Sequence, residues 1–427
     1  MARFQFLNQH YWPETASTGQ HLTDLAEYLV QQGHEVRVRC ARSVDAEGLP
    51  AARRETRNGV AIERVGASRF GRGKATGRVA DYASFHALAG PSLLLDRWAD
   101  VVITLTTPPM LGLWGSLAQR LGGAKHVCFL MDHHPDAEFE SGMLDRSSFL
   151  GRALETIYGW TLRSAWHNVA LGPYQAQRVL DRGVPDERVS LVPIWSWADE
   201  ITTTDDQRAS LRAELGWSEH FVLLYSGNAG HVHRFDELLE AMRILESERP
   251  EVRLAFVGGG PRRAEIERFV DQHALSNVSF HPSQPRERVG ALLRAADAHV
   301  TTLRAEQVGV SVPGKLYGQL ASGRPVLFVG PERCESADDL RASRAGRVIG
   351  IGDVDGLVAA VRELVEDDSL RRRLGAQGRR WFLEHRERNV SCEAWLDLLE
   401  EVCASARPGL TQAGVHIASS RPSRVAA

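Results

Sequence analysis

A lysine in an unusual position is the first residue of this sequence to suggest chemistry. Lys315 follows Pro313 at the predicted start of a helix, and the only other lysines among the 51 basic residues are Lys74 and Lys125. A cation at a helix start opposes the positive end of the helix dipole unless an anion is bound there. We therefore predict that Lys315 binds a phosphate group. A solvated lysine on a surface turn is the alternative.

A loop with glycines and cationic side chains precedes another predicted helix. Gly227 and Gly230 lie with His231, His233 and Arg234 between a predicted strand and that helix. Flexible backbone beside cations at a helix N-terminus suits a diphosphate. A tight surface turn with exposed histidines is an equal alternative, so the loop by itself leaves the choice open.

Polar side chains also follow a strand in the first half of the chain. Asp132, His133 and His134 come after a predicted strand over residues 127–131. Asp132 or His133 can position a hydroxyl group or accept its proton, while a helix N-cap is the structural alternative for Asp132. Adjacent side chains of a strand point to opposite faces, so we predict no dinuclear metal site at the two histidines.

Strands alternate with helices in both halves of the sequence. An apolar run over residues 4–7, a helix ending near Gly33 and an alternating strand over residues 36–40 begin the first series. A second series starts at residue 221, after an irregular polar stretch over residues 193–217. Such alternation predicts parallel sheets covered by helices on both faces. We expect an α/β protein with two doubly wound domains.

The position of the polar clusters narrows the kind of ligand. In open parallel sheets, ligands bind beyond the carboxyl ends of the strands, and two such domains facing a cleft can bring a nucleotide to a second substrate. A dinucleotide enzyme would carry G-x-G-x-x-G after its first strand, but no such motif follows Leu7. Gly258 and Gly260 are in phase, with Arg263 in place of the third glycine, and the P-loop motif is absent.

Charge and cysteine usage exclude further classes. The 51 basic and 54 acidic residues give a net charge of −3, which argues against a nucleic-acid-binding protein. Five cysteines without a C-x-x-C pair fit neither a disulfide framework nor a zinc ribbon.

Residues 101–119 resemble a membrane span, but Pro108 and Pro109 favour a strand, a turn and a helix. With no signal-peptide pattern, we expect a cytoplasmic protein with a disordered tail over residues 406–427.

At these residues the sequence resembles the group 1, family-four glycosyltransferases of the GT-B fold, in particular the bacterial branch that builds capsule, O-antigen and other exopolysaccharides. The resemblance covers about residues 3–403. The segments that carry it are HYWPE at 10–14, Gly19, GHEV at 33–36, residues 100–109, DHHPD at 132–136, residues 182–184, YSGN at 225–228, FVGGG at 256–260, VPGKLY at 312–317 and GRPVL at 323–327.

The resemblance implies an acceptor-binding domain over residues 1–195 and a nucleotide-sugar-binding domain over residues 218–388. It further implies that a helix near residues 389–405 packs back on the first domain. The implied reaction is a retaining transfer from a nucleotide sugar, with UDP as the expected nucleotide. The acceptor is then a saccharide or a polyprenyl-diphosphate-linked saccharide, and no metal or tightly bound cofactor takes part.

On this basis we assign the candidate residues to three roles. The catalytic candidates are Lys315, Asp132 and His133, and the acceptor-binding candidates are Trp12, Gly19 and His134. The candidates for binding the nucleotide sugar are Gly227, Asn228, Gly230, His231, His233, Arg234, Gly258, Gly259, Gln284, Gly309, Pro313 and Tyr317.

The sequence departs from the family pattern at the donor site. Two glutamates that contact the donor sugar and ribose in the family fall at Val310 and Gly318, and two cations used on the phosphates fall near Asn228 and His233. Ribose binding must therefore be arranged differently. Lys315, assisted by His231 or Arg234, becomes the best candidate for the diphosphate.

A basic segment in the first half suggests a membrane surface. Residues 67–80 contain Arg69, Arg72, Lys74 and Arg78 without an acidic residue, and apolar residues continue to 95. Residues 67–95 can therefore contact an anionic membrane from its inner face, while a solvated loop before a core helix is an equal alternative.

Three functions stay open beside exopolysaccharide synthesis: a nucleotide-sugar 2-epimerase, a non-catalytic nucleotide-sugar-binding subunit, and a natural-product glycosyltransferase.

Overall fold

The computed structural model describes residues 1–14, 16–43, 51–66, 75–198 and 201–406. The chain divides into two compact units. Unit 1 comprises Met1–Ile194, Gly309–Ser311 and the chain from Ser391 onward, and unit 2 comprises Trp195–Val308 and Val312–Val390. The chain therefore passes between the units four times. Gly309–Ser311, the three residues directly before the VPGKLY segment, belong to unit 1.

Unit 1 contains a sheet whose buried strands are rich in Val, Ile and Phe. Its strands are β1 (Arg3–Leu7), β2 (Glu35–Ala41), β3 (Arg54–Arg57), β4 (Val60–Val65), β5 (Val101–Thr104), β6 (Lys125–Leu130), β7 (His167–Ala170) and β8 (Val189–Leu191). Their order in the sheet is β3-β4-β2-β1-β5-β6-β7-β8. All neighbouring pairs are parallel except β3 with β4, which form an antiparallel hairpin at the edge.

Helices connect the parallel strands of unit 1. They are α1 (Ser17–Gln31), α2 (Ala75–Leu95), α3 (Gly112–Gly122), α4 (Asp136–Glu140), α5 (Phe149–Ser164) and α6 (Pro173–Leu180). Helix α3 packs between α2 and α5: the indole of Trp114 donates to His86 of α2 at 2.9 Å, and Ser116 Oγ donates to the carbonyl of Thr161 of α5 at 3.2 Å. These helices thus share one face of the sheet.

Unit 2 has a second parallel sheet. Its strands are β9 (Phe221–Ser226), β10 (Val252–Val257), β11 (Val278–His281), β12 (Ala298–Thr302), β13 (Val326–Val329) and β14 (Gly346–Ile349), in the order β11-β10-β9-β12-β13-β14. Its helices are α7 (Asp205–Glu214), α8 (Asp236–Glu248), α9 (Arg263–Gln272), α10 (Arg286–Ala295), α11 (Lys315–Ala321), α12 (Glu335–Ser343), α13 (Val354–Glu366), α14 (Asp368–His385) and α15 (Arg388–Ala404), of which α15 continues into unit 1. Two doubly wound α/β domains are thus confirmed.

The stretch over residues 193–217 is less irregular than predicted. Helix α7 begins within it, because Thr204 accepts from the backbone N–H of Gln207 while the Gln207 side chain accepts from the backbone N–H of Thr204. This reciprocal capping satisfies two donors that a helix start otherwise leaves unpaired. The T-x-x-Q spacing at residues 204–207 was the sequence signal for it, and the expected start of the second domain at 218 is too late, since unit 2 begins at Trp195.

Residues 101–119 form β5, a turn and most of α3. Prolines interrupt this apolar stretch, and among the described residues no helix combines the length and apolar character needed to cross a bilayer. The predicted tail lies outside the described residues except for Ala406.

Lys125, for which the sequence offered no role, holds the end of α15 on unit 1. Its ammonium group donates to the carbonyl groups of Val402, Cys403 and Ser405 at 2.6–2.9 Å. It also lies 4.8 Å from the centre of the Trp166 ring. The last carbonyls of a helix have no partner within the helix, so a cation is well placed there.

Candidate active site

Two glycine-containing loops of unit 2 pack directly against each other at the carboxyl ends of β9 and β10. The Ala229 N–H donates to the carbonyl of Gly259 at 2.8 Å. Gly258 and Gly260 have φ values of +127° and +139°, and a Cβ on Gly258 would lie 2.5 Å from the carbonyl oxygen of Gly227. Only glycine allows both this backbone conformation and this close approach.

Lys315 extends toward these loops from the first residue of α11. Its ammonium group donates to the Tyr225 hydroxyl at 2.6 Å and lies 3.8 Å from the centre of the Tyr225 ring. The Tyr225 hydroxyl in turn donates to the carbonyl of Asn228 at 3.0 Å, so its lone pairs are free to face Lys315. Desolvation lowers the pKa of Lys315 to about 7. An anion bound beside Gly227 would restore the charged form.

Two cations predicted for the donor loop have other roles. His233 is buried, its Nδ1–H donates to the carbonyl of Thr302 at 2.6 Å, and burial lowers its pKa to about 3. The prediction that His233 can be cationic is therefore wrong. Arg234 pairs with the buried carboxylate of Glu237, which also accepts from the Gly352 N–H at 2.8 Å. A diphosphate would have to compete with Glu237 for this guanidinium group.

Other donor candidates are divided between the loops and the interior. His231 is exposed in the glycine-containing loop and Pro313 is buried before α11. Gln284 is partly buried in the loop between β11 and α10, where its amide donates to the carbonyl of Pro282 at 3.3 Å. None of these contacts excludes a ligand.

Tyr317 and Gly309, which were also predicted to bind the donor, are both buried. Tyr317 is buried, and its hydroxyl donates at 2.9 Å to Asp339, which also pairs with Arg386 at 2.8 Å. Gly309 belongs to unit 1, where a Cβ would lie 2.5 Å from the carbonyl oxygen of Tyr174. Tyr317 is held in a buried network and Gly309 permits close packing within unit 1, while their assignments to donor binding stay predictions.

The positions of the missing glutamates are structurally different from each other. Val310 is fully buried in unit 1, and its carbonyl accepts from the His133 N–H at 3.0 Å. Gly318 lies in α11, where a Cβ would make ordinary contacts at 3.5 Å with Leu293 and Ser196. A buried valine cannot bind a ribose hydroxyl, so the departure at position 310 is a real loss of a polar contact.

On unit 1, the DHHPD segment follows β6 at its carboxyl end. Asp132 is partly buried, its N–H donates to Thr106 Oγ1 at 3.3 Å, and it forms an antiparallel bridge with Ser311. Asp132 is not a helix N-cap, because α4 begins at Asp136 with Pro135 in the capping position. Its carboxylate therefore has no capping role to fulfil.

His133 is not available to an acceptor. Its side chain is fully buried, with Nε2 3.1 Å from the carbonyl of Gln175 and Nδ1 bonded to the Tyr158 hydroxyl. Since a carbonyl only accepts, Nε2 carries the proton and Nδ1 accepts from Tyr158. Burial lowers the pKa of His133 to about 3. The expected catalytic role of His133 is corrected to a structural one that fixes the loop bearing Asp132.

His134 points in another direction. Its Nδ1 lies 2.8 Å from a carboxylate oxygen of Glu138. Burial lowers the pKa of His134, but the hydrogen bond and the charge of Glu138 outweigh it and raise the pKa overall. His134 lines a mainly apolar recess beyond β5 and β6, together with Thr106, Met110, Leu130 and Tyr158. No group of three metal-ligating side chains occurs among the described residues.

Trp12 and Gly19 lie near the start of unit 1. The Arg57 guanidinium group is 4.5 Å from the centre of the Trp12 ring, and the Trp12 carbonyl accepts from Arg64 at 2.9 Å. Gly19 is buried in α1, where a Cβ would come within 3.2 Å of His10. A glycine here lets α1 approach the HYWPE segment closely.

Two family models match the chain. The model described as glycosyl transferases group 1 matches residues 207–381, and the model described as glycosyl transferase 4-like domain matches residues 18–195. The chain belongs to the group 1 glycosyltransferases. This group 1 glycosyltransferase is accordingly an enzyme, and the matched ranges fall mainly in unit 2 and unit 1, respectively.

Individual proteins are similar to this group 1 glycosyltransferase. WcaI of Escherichia coli K12, named as a colanic acid biosynthesis glycosyl transferase, is 28% identical over 374 residues, which are 83% of this chain and 90% of WcaI. A GDP-mannose-dependent alpha-(1-6)-phosphatidylinositol monomannoside mannosyltransferase of Mycolicibacterium smegmatis is 27% identical over 218 residues, 51% of this chain and 54% of the relative. Anabaena HepE in complex with UDP-glucose shares the fold, with a TM-score of 0.71, 15% identity, and coverage of 94% and 100% of the two chains.

Two residues of this glycosyltransferase that were not among the predicted site residues, Tyr225 and Arg304, contact the donor-site side chains Lys315 and His233. Tyr225 fixes Lys315, and its signal was a tyrosine near the carboxyl end of a buried strand. Arg304, just after β12, donates through Nε to the carbonyl of His233 at 3.1 Å and is partly buried. An arginine directly after a predicted strand was the available signal, since such positions face the ligand edge of a parallel sheet.

Proposed function

We propose that this glycosyltransferase transfers a sugar, with retention of anomeric configuration, from a UDP-sugar to a saccharide or polyprenyl-diphosphate-linked acceptor in cell-surface polysaccharide biosynthesis. Three similar proteins support the proposal. WcaI is named for colanic acid biosynthesis, HepE binds UDP-glucose, and the mycobacterial relative acts on a phosphatidylinositol mannoside. The first supports a cell-surface polysaccharide, the second a UDP-sugar, and the third a lipid-linked acceptor.

The observation that carries the proposal is the position of the Lys315 ammonium group. An ideal Cβ on Gly227 would lie 3.7 Å from Lys315 Nζ, so the space beside this glycine is bordered by a cation and by flexible backbone. Gly227 itself has a φ of +119°. Backbone N–H groups in such turns form concave sites for anions. A diphosphate is the anion that a nucleotide-sugar enzyme has to hold.

The charge that develops during transfer explains the use of this site. Breaking the bond between the anomeric carbon and the diphosphate leaves negative charge on the leaving oxygen. A positioned donor stabilises such charge by about 3–4 kcal/mol. Lys315 is therefore the proposed catalytic cation, with Gly227, Asn228, Gly230, Gly258 and Gly259 supplying backbone around the diphosphate and with His231 and Arg304 nearby.

The acceptor is proposed to bind to unit 1 beyond β6. Asp132 positions the attacking hydroxyl group, and the hydroxyl proton passes to the departing phosphate oxygen as the new bond to the anomeric carbon forms. The adjacent His134, which is paired with Glu138, lines the recess described above. His133 takes no part in proton transfer, because both of its ring nitrogens are already bonded within the interior.

The proposal is tested with a panel of UDP- and GDP-sugars, scored by nucleotide release with and without a polyprenyl-diphosphate saccharide. We expect acceptor-dependent UDP release that falls by about 100-fold in Lys315→Ala, as when one such catalytic donor is removed. Arg243→Ala serves as the control, because Arg243 is an exposed residue of α8 that pairs only with Glu240 on its own helix among the contacts described.

Product analysis separates the remaining functions. Nuclear magnetic resonance should show the anomeric configuration of the donor retained in the product. An inverted product would refute the retaining assignment, and full activity of Lys315→Ala would refute its phosphate role. Acceptor-independent release of UDP with an altered free sugar would indicate an epimerase. Transfer only to small aromatic or aliphatic alcohols would indicate natural-product glycosylation.

A peripheral position on the inner face of the membrane is part of the proposal. The segment over residues 67–95 is retained as a proposed contact with anionic lipid. Its basic residues up to Lys74 lie outside the described residues, while Val79 and Leu88 of α2 are exposed apolar side chains. A contact of this kind is mainly electrostatic and should weaken as salt is added.

A further inference from the structure

One short segment of unit 1 holds three of the large apolar side chains that are exposed among the described residues of this unit. Phe149 is 86% exposed, Leu150 57% and Met143 62%. Among the described residues of unit 2, by comparison, the large apolar side chains that are exposed are Ile351 and Leu383, each at 42%. The three residues of the segment lie within eight positions of one another, and we call them the apolar tip.

The apolar tip lies at the start of α5. Ser148 caps the helix by accepting from the Gly151 N–H at 2.9 Å, and Phe149 and Leu150 are the first two helical residues. The buried face of α5 consists of Gly151 and of residues near its end, such as Tyr158 and Leu162. Packing of α5 onto the sheet therefore does not require an aromatic or aliphatic residue at the first two positions.

The tip projects beyond the ligand edge of the sheet. Helix α5 ends at Ser164, close to the start of β7, and so runs back from the carboxyl edge of the sheet to the amino edge. Tyr158 lines the recess beyond β5 and β6. Phe149 is nine residues earlier, about 13 Å farther along the helix axis at 1.5 Å per residue. The tip thus stands on the acceptor side of unit 1, past the recess.

We propose that the apolar tip inserts into the interface of a phospholipid bilayer. Three side chains expose far less than the roughly 800 Å² per partner that a stable protein interface buries, which disfavours a second copy of the chain as the occupant. Binding at a bilayer interface scales with the apolar area that is buried, so a small apolar surface gives a weak and reversible contact. Exposed apolar surface of this kind signals a partner.

The charges around the tip define the type of lipid contact. Asp145, Arg146 and Arg152 are exposed beside it, and Arg146 lies 3.3 Å from Glu155. The surroundings are therefore of mixed sign. Insertion of the tip is driven by apolar burial, so it occurs on zwitterionic lipid and resists salt, unlike the electrostatic contact proposed for residues 67–95.

The inference rests on the proposed function in one respect: a lipid-linked acceptor places its reacting saccharide at the bilayer surface. With the tip in that surface, the carboxyl edge of the sheet, where the loop bearing Asp132 follows β6, lies next to the layer that holds such a saccharide. The tip then affects binding of the lipid-linked acceptor and leaves binding and cleavage of the donor by unit 2 unchanged.

Unit 1 provides a closely matched control for the test. Leu121 is 59% exposed, nearly the value of Leu150 at 57%, and it lies outside residues 67–95. It lies at the C-terminal end of α3, shortly before β6 begins. Since β6 is parallel to its neighbours, Leu121 lies at the opposite edge of the sheet.

The experiment is flotation of the full chain with phosphatidylcholine vesicles, and with vesicles that also contain phosphatidylglycerol, at low and high salt. We expect Phe149→Ser/Leu150→Ser to weaken binding to phosphatidylcholine by about tenfold or more, as expected for loss of two large apolar side chains. Leu150→Ser alone should also weaken binding, whereas the matched variant Leu121→Ser should bind like the unaltered chain. These variants replace exposed side chains, and circular dichroism checks that each is folded.

Several results would overturn the inference. It fails if the unaltered chain does not float with phosphatidylcholine, if Leu121→Ser loses as much binding as Leu150→Ser, or if binding needs phosphatidylglycerol and disappears in salt. Concentration-dependent dimerisation that only the tip variant abolishes would assign the tip to a second copy. Flotation requires no catalysis, so a chain that floats through its tip without releasing UDP would refute the proposed function and leave the tip assignment standing.

Discussion

Lys315 and Tyr225 act as a pair whose properties come from their surroundings. The ammonium group faces the ring and the hydroxyl oxygen of Tyr225, and desolvation lowers the pKa of Lys315 to about 7. In the free protein, a growing fraction of Lys315 is neutral as the pH rises above 7. Because a diphosphate binds the charged form, donor binding is coupled to protonation of this residue.

This coupling predicts a pH dependence at the residue scale. The donor kcat/KM should fall as the pH rises above about 7, and Lys315→Arg should remove that fall, because a guanidinium group stays charged. The measurement is a profile of kcat/KM from pH 6 to 9 at saturating acceptor. An unchanged profile in Lys315→Arg would show that another group titrates.

Tyr225→Phe tests the hydroxyl group within the same profile. It removes the acceptor for Lys315 and the donor to Asn228, so we expect about a tenfold lower donor kcat/KM, in line with hydrogen bonds to charged groups.

The lowered pKa of Lys315 also affects the stability of the protein. In the folded chain, this pKa lies below the ordinary value of 10.5. The unfolded chain therefore binds more protons between pH 7 and 10.5, and this residue makes stability rise with pH there.

At the scale of elements, the donor site depends on how two loops pass each other. The loop after β9 and the loop after β10 meet where Gly258 lies against the Gly227 carbonyl and Gly260 lies against Ala229. A side chain at either glycine would separate the loops and move the backbone that faces Lys315. The neighbouring Gly259 has nothing within 4 Å of an added Cβ.

These contacts predict different effects on thermal stability for alanine substitutions at Gly258 and at Gly259. Gly258→Ala should lower the Tm by several degrees, since its added Cβ would lie 2.5 Å from the Gly227 oxygen and its φ is +127°; strain of this kind costs about 1–3 kcal/mol. Gly259→Ala should unfold at the temperature of the unaltered chain. Thermal unfolding followed by circular dichroism makes the comparison, and equal losses in both variants would contradict it.

At the scale of the whole molecule, nucleotide binding should be visible as stability. A ligand that binds only the folded state stabilises it by about 2.7 kcal/mol at 100 times its Kd. UDP should therefore raise the unfolding midpoint of the unaltered chain, GDP should do so less, and Lys315→Ala should respond to neither. Differential scanning calorimetry with and without nucleotide tests this. A larger shift with GDP would reassign the donor.

The sequence predicted the architecture well because hydrophobic periodicity and parallel-sheet topology are local and redundant signals. Most strands, the turn at Pro108 and Pro109, and the position of Lys315 at a helix start could all be found from short segments. The capped helix α7 was missed because its polar composition hid the spacing of Thr204 and Gln207. The role of Lys125 was missed because its partners lie 277–280 positions away.

Site residues were predicted less completely, since exposure and direction of a side chain are not local properties. His133 and His134 are adjacent in the sequence, yet one is buried against Tyr158 and the other borders a recess. His233 and Arg234 are also adjacent, and both are committed to groups within unit 2. The short segment Gly309–Ser311 belongs to unit 1 although its flanks belong to unit 2.

The sequence by itself determined that this protein has two doubly wound α/β domains, that no dinucleotide motif or P-loop is present, and that its motifs are those of a group 1 glycosyltransferase. Those features depend on residue order within short segments. Only the tertiary structure decided that Lys315 is paired with Tyr225, that His133 and His233 are buried and neutral, and that Phe149 and Leu150 are exposed. Those properties depend on desolvation and on contacts between distant segments, and neither can be known until the chain has folded.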